Sequence, residues 1–172
     1  MRTPWRRGPP GSWANGARWK GLILACQDLG LRAHRARPCP PTVGGVRAVG
    51  TWERRPTTAV IGCNDILAVG FMKSAITRGI RVPEDLSVIG IDNAGLSALT
   101  KPGPTSLATR SPQLGAAAAG AIVGHLRHRS RPLVTTLEMS LQVCASVGPV
   151  AARIPARRPS ATSRHTRRSP RQ

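Results

Sequence analysis

Between Pro56 and Asn93 the chain reads PTTAVIGCNDILAVGFMKSAITRGIRVPEDLSVIGIDN, and its hydrophobic period changes along that stretch. Thr57–Cys63 is a β-branched and apolar run without polar alternation, as in a strand buried on both faces. Ala68, Phe71, Met72 and Ala75 then fall on one face at helical spacing, with Lys73, Thr77 and Arg78 opposite. Asp65 is the expected N-cap of a helix starting at Ile66. Gly79 suits the left-handed residue after the helix, and Pro83 forbids its continuation. Ser87–Ile91 is a second buried run. Strand, helix and strand of these lengths predict a crossover between parallel strands.

The same patterning extends in both directions. Ala17, Gly21, Leu24, Ala25 and Leu29 recur at helical spacing, predicting a helix from about Gly16 to Leu29 with Gly30 ending it. Leu31–Arg37 is a candidate strand and Pro38–Pro41 a rigid connector. Val43–Arg54 reads as a helix with Val46, Val49 and Trp52 inward. A short helical turn is expected in Ala94–Thr100, and a strand at Thr105–Thr109. Ser111 can cap a helix over Pro112–Arg127, its apolar face made by Leu114, Ala117, Ala118, Ala121, Ile122 and Leu126. Leu133–Ala145 is the last expected strand. These elements predict an α/β fold, a doubly wound parallel sheet.

Both strands of the central unit end in a polar pair, Asn64-Asp65 and Asp92-Asn93. In open α/β sheets ligands bind beyond the carboxyl ends of the strands. A carboxylate accepts from adjacent hydroxyls, and an amide both donates and accepts, so the pairs suit a polyhydroxy ligand. From the residues alone a plainer reading stands beside it, in which Asp65 only caps a helix and Asp92 only makes a turn.

The stretch CNDILAVGFMKSAITRGIRVPEDLSVIGIDN resembles the effector-binding domain of the LacI/GalR family of bacterial transcription regulators. That family shows the same strand–Asn-Asp–helix, followed by Gly-(Ile/Leu)-x-Val-Pro-x-Asp-(Leu/Ile)-Ser-Val-x-Gly-x-Asp. Pro104-Thr105-Ser106-Leu107 is similar to its P-x-T-x-(I/V) strand. Arg18-Trp19-Lys20-Gly21 matches its R-x-x-G after a Gly-rich loop, where the Arg contacts the effector. The resemblance covers about Gly8 to Pro149 and implies a periplasmic-binding-protein-like fold of type I, one subdomain of it. It implies a sugar or small-metabolite effector, with Arg18, Asn64 and Asp92 as effector-binding residues. It also implies a homodimer in the full-length family and DNA contact only through a helix-turn-helix that is absent from this chain. The family often sets an aromatic ring against the sugar from the connector; Pro38–Thr42 offers none.

The first strand of such a subdomain belongs just before Gly8, where Arg2–Arg7 is a poor strand sequence. Either these residues fill the slot badly or the sheet lacks its first strand. The expected division is a basic segment at 1–7, the sensor subdomain at 8–149 and a disordered tail at 150–172. A truncated gene, a misplaced start or a frameshift remnant is the expected origin of such a chain.

Charge widens the choice. Of 172 residues, 26 are Lys or Arg and 7 Asp or Glu, a formal net charge of +19, with every acid between residues 28 and 138. Purely basic ends suggest nucleic acid or an acidic surface. The same Arg, Ala, Gly and Pro enrichment also follows from GC-rich coding DNA. The tail from Val150 has no acid and too few apolar residues to order itself, yet it can neutralise phosphates without reading sequence.

Other chemistry is thinly supported. Cys26, Cys39, Cys63 and Cys144 have no C-x-x-C or metal spacing; Cys26 and Cys63 lie in apolar runs, as reduced core thiols do. His125 and His128 stand three apart with no carboxylate or Cys beside them, so no metal and no cofactor is expected. There is no G-x-S-x-G, no H-E-x-x-H and no phosphate loop, so no enzyme is expected. No run approaches a membrane span, and MRTPWRRGPP lacks the apolar stretch of a signal peptide, so a cytoplasmic protein is expected. The alternatives are a fragment of a periplasmic-type sugar-binding protein and a non-functional remnant with non-specific nucleic-acid binding.

Overall fold

The computed structural model describes residues 2–6, 12–36, 41–128 and 134–150. Its six strands are β1 (Arg2–Arg6), β2 (Arg32–Ala36), β3 (Ala59–Ile61), β4 (Ser87–Ile91), β5 (Thr105–Ala108) and β6 (Ser140–Gln142). Its four α-helices are α1 (Trp13–Asp28), α2 (Pro41–Arg54), α3 (Asp65–Thr77) and α4 (Ser111–His128), with a 3-10 turn at Leu96–Ala98. The strands lie in the order β2-β1-β3-β4-β5-β6. The first five are mutually parallel, and β6 runs antiparallel to β5.

The α/β, doubly wound class expected from the sequence is therefore present, with two corrections to its strands. The slot for a first strand is filled. Arg2–Arg6 pairs in parallel with the whole of β2, from Arg2 opposite Arg32 to Arg6 opposite Ala36, and meets β3 where Trp5 faces Ile61. Parallel pairing runs through backbone groups, so a sequence of low strand propensity, even one containing Pro4, can hold a central position when both neighbours are in place. The closing strand is shorter than expected: among the described residues of Leu133–Ala145, Ser140–Gln142 forms the strand beside β5. The connector before Pro41 and the tail from residue 151 lie outside the described residues.

The two faces of the sheet are covered differently. Val60 and Val88 point to one face, where Ala48, Val49 and Trp52 of α2 pack with Ala68, Phe71, Met72 and Ala75 of α3. Each large side chain buried there stabilises the fold by about 1.5–3 kcal/mol. Trp52 meets Phe71 edge-on at 6.4 Å between centroids, and its indole Nε1 donates to Thr57 Oγ1 at 3.0 Å. Successive strand residues point to opposite faces. Ile61 and Ile91 therefore face the other way, and Trp19 and Leu22 of α1 pack there with Cys63 and Leu67.

The inward face of α1 differs from the one expected. Ala17, Gly21, Leu24, Ala25 and Leu29 are exposed, while Asn15, Trp19, Leu22 and Cys26 are buried or half-buried. Both sets have helical spacing, about half a turn apart. The set containing polar Asn15 and the large Trp19 is the one that meets the sheet. Leu114, Ala118, Ala121, Ile122 and Leu126 of α4 are exposed as well, so the stripe expected to face a core is open in this structure.

Candidate functional site

The strand order creates the site. β1 is followed in the chain by β2 on one side, whereas β3 lies on its other side, so the direction of winding reverses between β1 and β3. In a doubly wound sheet the crevice at such a reversal, beyond the carboxyl ends of the strands, is where ligands bind. The segment after β1 leads into α1, which carries Arg18; Asn64 follows β3; Asp92 follows β4.

The structure brings these three segments together through Arg18. Its Nη1 donates to the backbone oxygen of Cys63 at 2.6 Å, and its Nη2 donates to Asp92 Oδ1 at 3.0 Å. One planar guanidinium thus spans the ends of β3 and β4, a geometry that a lysine ammonium cannot reproduce. The two side chains are 31% and 41% exposed, so the pair itself contributes only about 0–1 kcal/mol to stability. Arg18 is in the second turn of α1, because the helix starts earlier than expected, at Trp13 behind an N-cap Ser12.

Asn64, rather than Asp65, caps α3. Its Oδ1 accepts the amide hydrogen of Leu67 at 3.0 Å, and the helix begins at Asp65. The cap uses the carbonyl oxygen and leaves the amide NH₂ group for other partners. Asp65 is buried, and its carboxylate turns toward β5. Oδ1 accepts from the Ser106 hydroxyl at 2.6 Å, and Oδ2 from the amide of Ala94 at 2.7 Å. Gly90 makes room for it, since a Cβ there would lie 2.1 Å from Asp65 Oδ1.

Asp92 and Asn93 both have positive φ, 105° and 51°. Non-glycine residues tolerate such angles at a cost of about 1–2 kcal/mol, least for Asp and Asn. The plain reading of Asp92 as a turn residue is correct as far as it goes; the turn also aims its carboxylate at Arg18. Sequence reading missed Ser106 and the Cys63 backbone oxygen. Ser106 sits in a matched strand motif but had no recognisable partner. A backbone oxygen leaves no trace in side-chain pattern.

A cavity of about 320 Å³ lies elsewhere, lined by Cys26, Gln27, Leu31, Arg32, His34 and Arg55 near the amino end of β2. None of Arg18, Asn64 and Asp92 lines it. The candidate site is instead an open edge. Among the described residues no three His, Cys, Asp or Glu side chains gather as a metal site, and no helix is long and apolar enough to cross a membrane.

A family model described as a periplasmic binding protein-like domain matches residues 6–146. The chain is similar to the transcriptional regulator MalR of Streptomyces coelicolor, 35% identical over 106 residues, which are 58% of this chain and 31% of that protein. It is similar in structure to a LacI family transcriptional regulator from Mycobacterium smegmatis, at 28% identity and a TM-score of 0.74, covering 86% of this chain and 58% of the other. A LacI family regulator from Arthrobacter, solved in complex with lactose, matches at 25% identity and a TM-score of 0.72, over 86% of this chain and 58% of that one. The chain thus spans little more than half the length of these structures, and under a third of the curated relative. With most of its length inside the family model and its fold shared with these regulators, the chain belongs to the periplasmic-binding-protein-like family, as an effector-binding domain of the LacI/GalR type.

Proposed function

We propose that this chain is one lobe of the sugar sensor of a LacI-type transcriptional regulator, and that Arg18, Asn64 and Asp92 contact the effector. The observation that carries the reading is the guanidinium of Arg18, which bridges Cys63 and Asp92 across the ends of β3 and β4 beside the winding reversal. An amide, a carboxylate and a guanidinium there offer donors and acceptors for vicinal hydroxyls. Each charge-assisted hydrogen bond to such a ligand contributes about 1.5–3 kcal/mol. The lactose complex of the Arthrobacter regulator supports a sugar as the ligand class.

The second wall of the cleft comes from sequence that the related structures have and this chain does not match. The lobe alone therefore binds sugar weakly. The full-length regulator is a homodimer that works in the cytoplasm and reaches DNA through a helix-turn-helix outside this chain. Calorimetric titration of lactose, ribose and cellobiose into a full-length protein carrying this lobe tests the reading. Asp92→Ala is expected to weaken binding about tenfold or more, since ~1.4 kcal/mol is a factor of ten. An unchanged dissociation constant for Arg18→Ala, Asn64→Ala and Asp92→Ala alike would return these residues to capping and turn-making.

A further inference from the structure

We propose that Asp65 is the positioning residue of this site: its buried carboxylate sets the turn after β4 and thereby delivers the Asp92 carboxylate to Arg18. This rests on the reading of Arg18, Asn64 and Asp92 as effector contacts, and it adds a residue whose side chain bonds to Ala94 and Ser106 instead of to those three side chains.

The turn is held through three successive amides. Asp92 N–H donates to the backbone oxygen of Leu107 at 2.9 Å, Asn93 N–H to Ser106 Oγ at 3.0 Å, and Ala94 N–H to Asp65 Oδ2 at 2.7 Å. The first bond extends the β4–β5 pairing. The other two both depend on Asp65, one directly and one through Ser106. Because the Ser106 oxygen accepts from Asn93, its single proton is left to donate, and it points to Asp65 Oδ1 at 2.6 Å. A carboxylate is an acceptor at both oxygens, so it is the side chain that takes a hydroxyl proton and an amide proton at once.

Helix capping does not account for this arrangement. Asn64 is the cap, and Asp65 reaches partners 29 and 41 positions away in the chain. Asp65 and Ser106 are each 2% exposed, so the bonds between them form out of competition with water. The positive φ at Asp92 and Asn93 is a conformation that side-chain-bearing residues leave when nothing holds them. Released, the turn relaxes and the Asp92 carboxylate moves off Arg18. The Asn-Asp pair after β3 thus divides its labour: Asn64 starts the helix, while Asp65 reaches across to Ser106 and Ala94 to shape the neighbouring turn.

The test uses the 172-residue chain without ligand, in solution NMR, with Asp65→Asn and Ser106→Ala. Amide exchange is followed at Asn93 and Ala94, and, as controls away from the turn, at Val60 of β3 and at Val88 of β4, whose amide donates to the Ser146 backbone oxygen. Rotation of the Arg18 guanidinium about Nε–Cζ reports whether Asp92 still clamps it, with Asp92→Ala as the unclamped reference. In Asp65→Asn, exchange at Asn93 and Ala94 and rotation of Arg18 are expected to rise about tenfold or more, as a lost charge-assisted hydrogen bond implies, while Val60 and Val88 stay protected. Ser106→Ala is expected to act on Asn93 more than on Ala94. A uniform loss of protection across the sheet in both variants makes Asp65 a general stability residue and overturns the proposal. An Arg18 rotation rate that stays at the wild-type value in both variants overturns it too. These readouts need no effector, so a chain that binds no sugar leaves them decisive, and sugar binding with an unmoved turn sinks the positioning role alone.

Discussion

Helices α3 and α4 carry comparable apolar stripes and have opposite fates. On α3 the stripe of Ala68, Phe71, Met72 and Ala75 is fully buried against β3, β4 and α2. On α4 Leu114, Ile122 and Leu126 remain 57%, 62% and 76% exposed. An amphipathic pattern states that a helix has a face to bury; it does not supply the surface that buries it. Helix α3 lies in the crossover between two adjacent parallel strands and shares their face with α2. Helix α4 lies between β5 and the short antiparallel edge strand β6. Hydrophobic stabilisation accrues only to area removed from water, so equal patterns yield unequal energies.

The sharpest way to break that contrast is to truncate one side chain from each stripe. Phe71→Ala is expected to cost about 3–5 kcal/mol, through lost burial and the cavity left behind. Leu126→Ala is expected to stay within about 0.5 kcal/mol. Urea unfolding of the two variants measures both, and equal losses would mean that α4 is covered in solution. A smaller effect is expected where β4 meets α3 without a side chain. Gly90→Ala places a Cβ against Asp65 and the α3 backbone, and is expected to cost about 1–3 kcal/mol by overpacking. The same change in α4, Gly120→Ala, meets open space and replaces a poor helix former, so it is expected to stabilise by several tenths of a kcal/mol. Thermal unfolding of the pair should therefore give shifts of opposite sign. At the cap, Asn64→Ala is expected to cost about 1 kcal/mol, and Asn64→Asp, which keeps the acceptor, much less. Chemical denaturation of both separates capping from the amide donor that the effector reading assigns to Asn64.

Legibility followed the range of the forces involved. The α3 stripe, the inward Val49 and Trp52 of α2, and the strands β3 and β4 were readable because period and breakers act over a few residues; the side chain of Val46 lies outside the described residues. The face of α1 was misread because two stripes shared one helix, and only the sheet could choose between them. The strand at Arg2–Arg6 was doubted because its local propensity is poor, and propensity is what packing overrides. The geometry around the candidate site was half readable. The positions of Arg18, Asn64 and Asp92 were visible from a motif, but Ser106 was invisible as a member, since its partner stands 41 residues away.

By itself the sequence determined that a strand, a helix and a strand follow one another between Pro56 and Asn93, which side of α3 is apolar, and that two strands end in carboxylate and amide groups. Those are consequences of side-chain period and of local hydrogen bonding, which need no other part of the chain. Tertiary structure alone decided that β1 lies between β2 and β3, and so that the winding reverses beside Asn64. It alone assigned the cap to Asn64 and freed Asp65 to reach Ser106 and Ala94. It alone set the Arg18 guanidinium between Cys63 and Asp92, because that contact joins two strand ends and a helix whose adjacency exists only once the backbone ladder has formed.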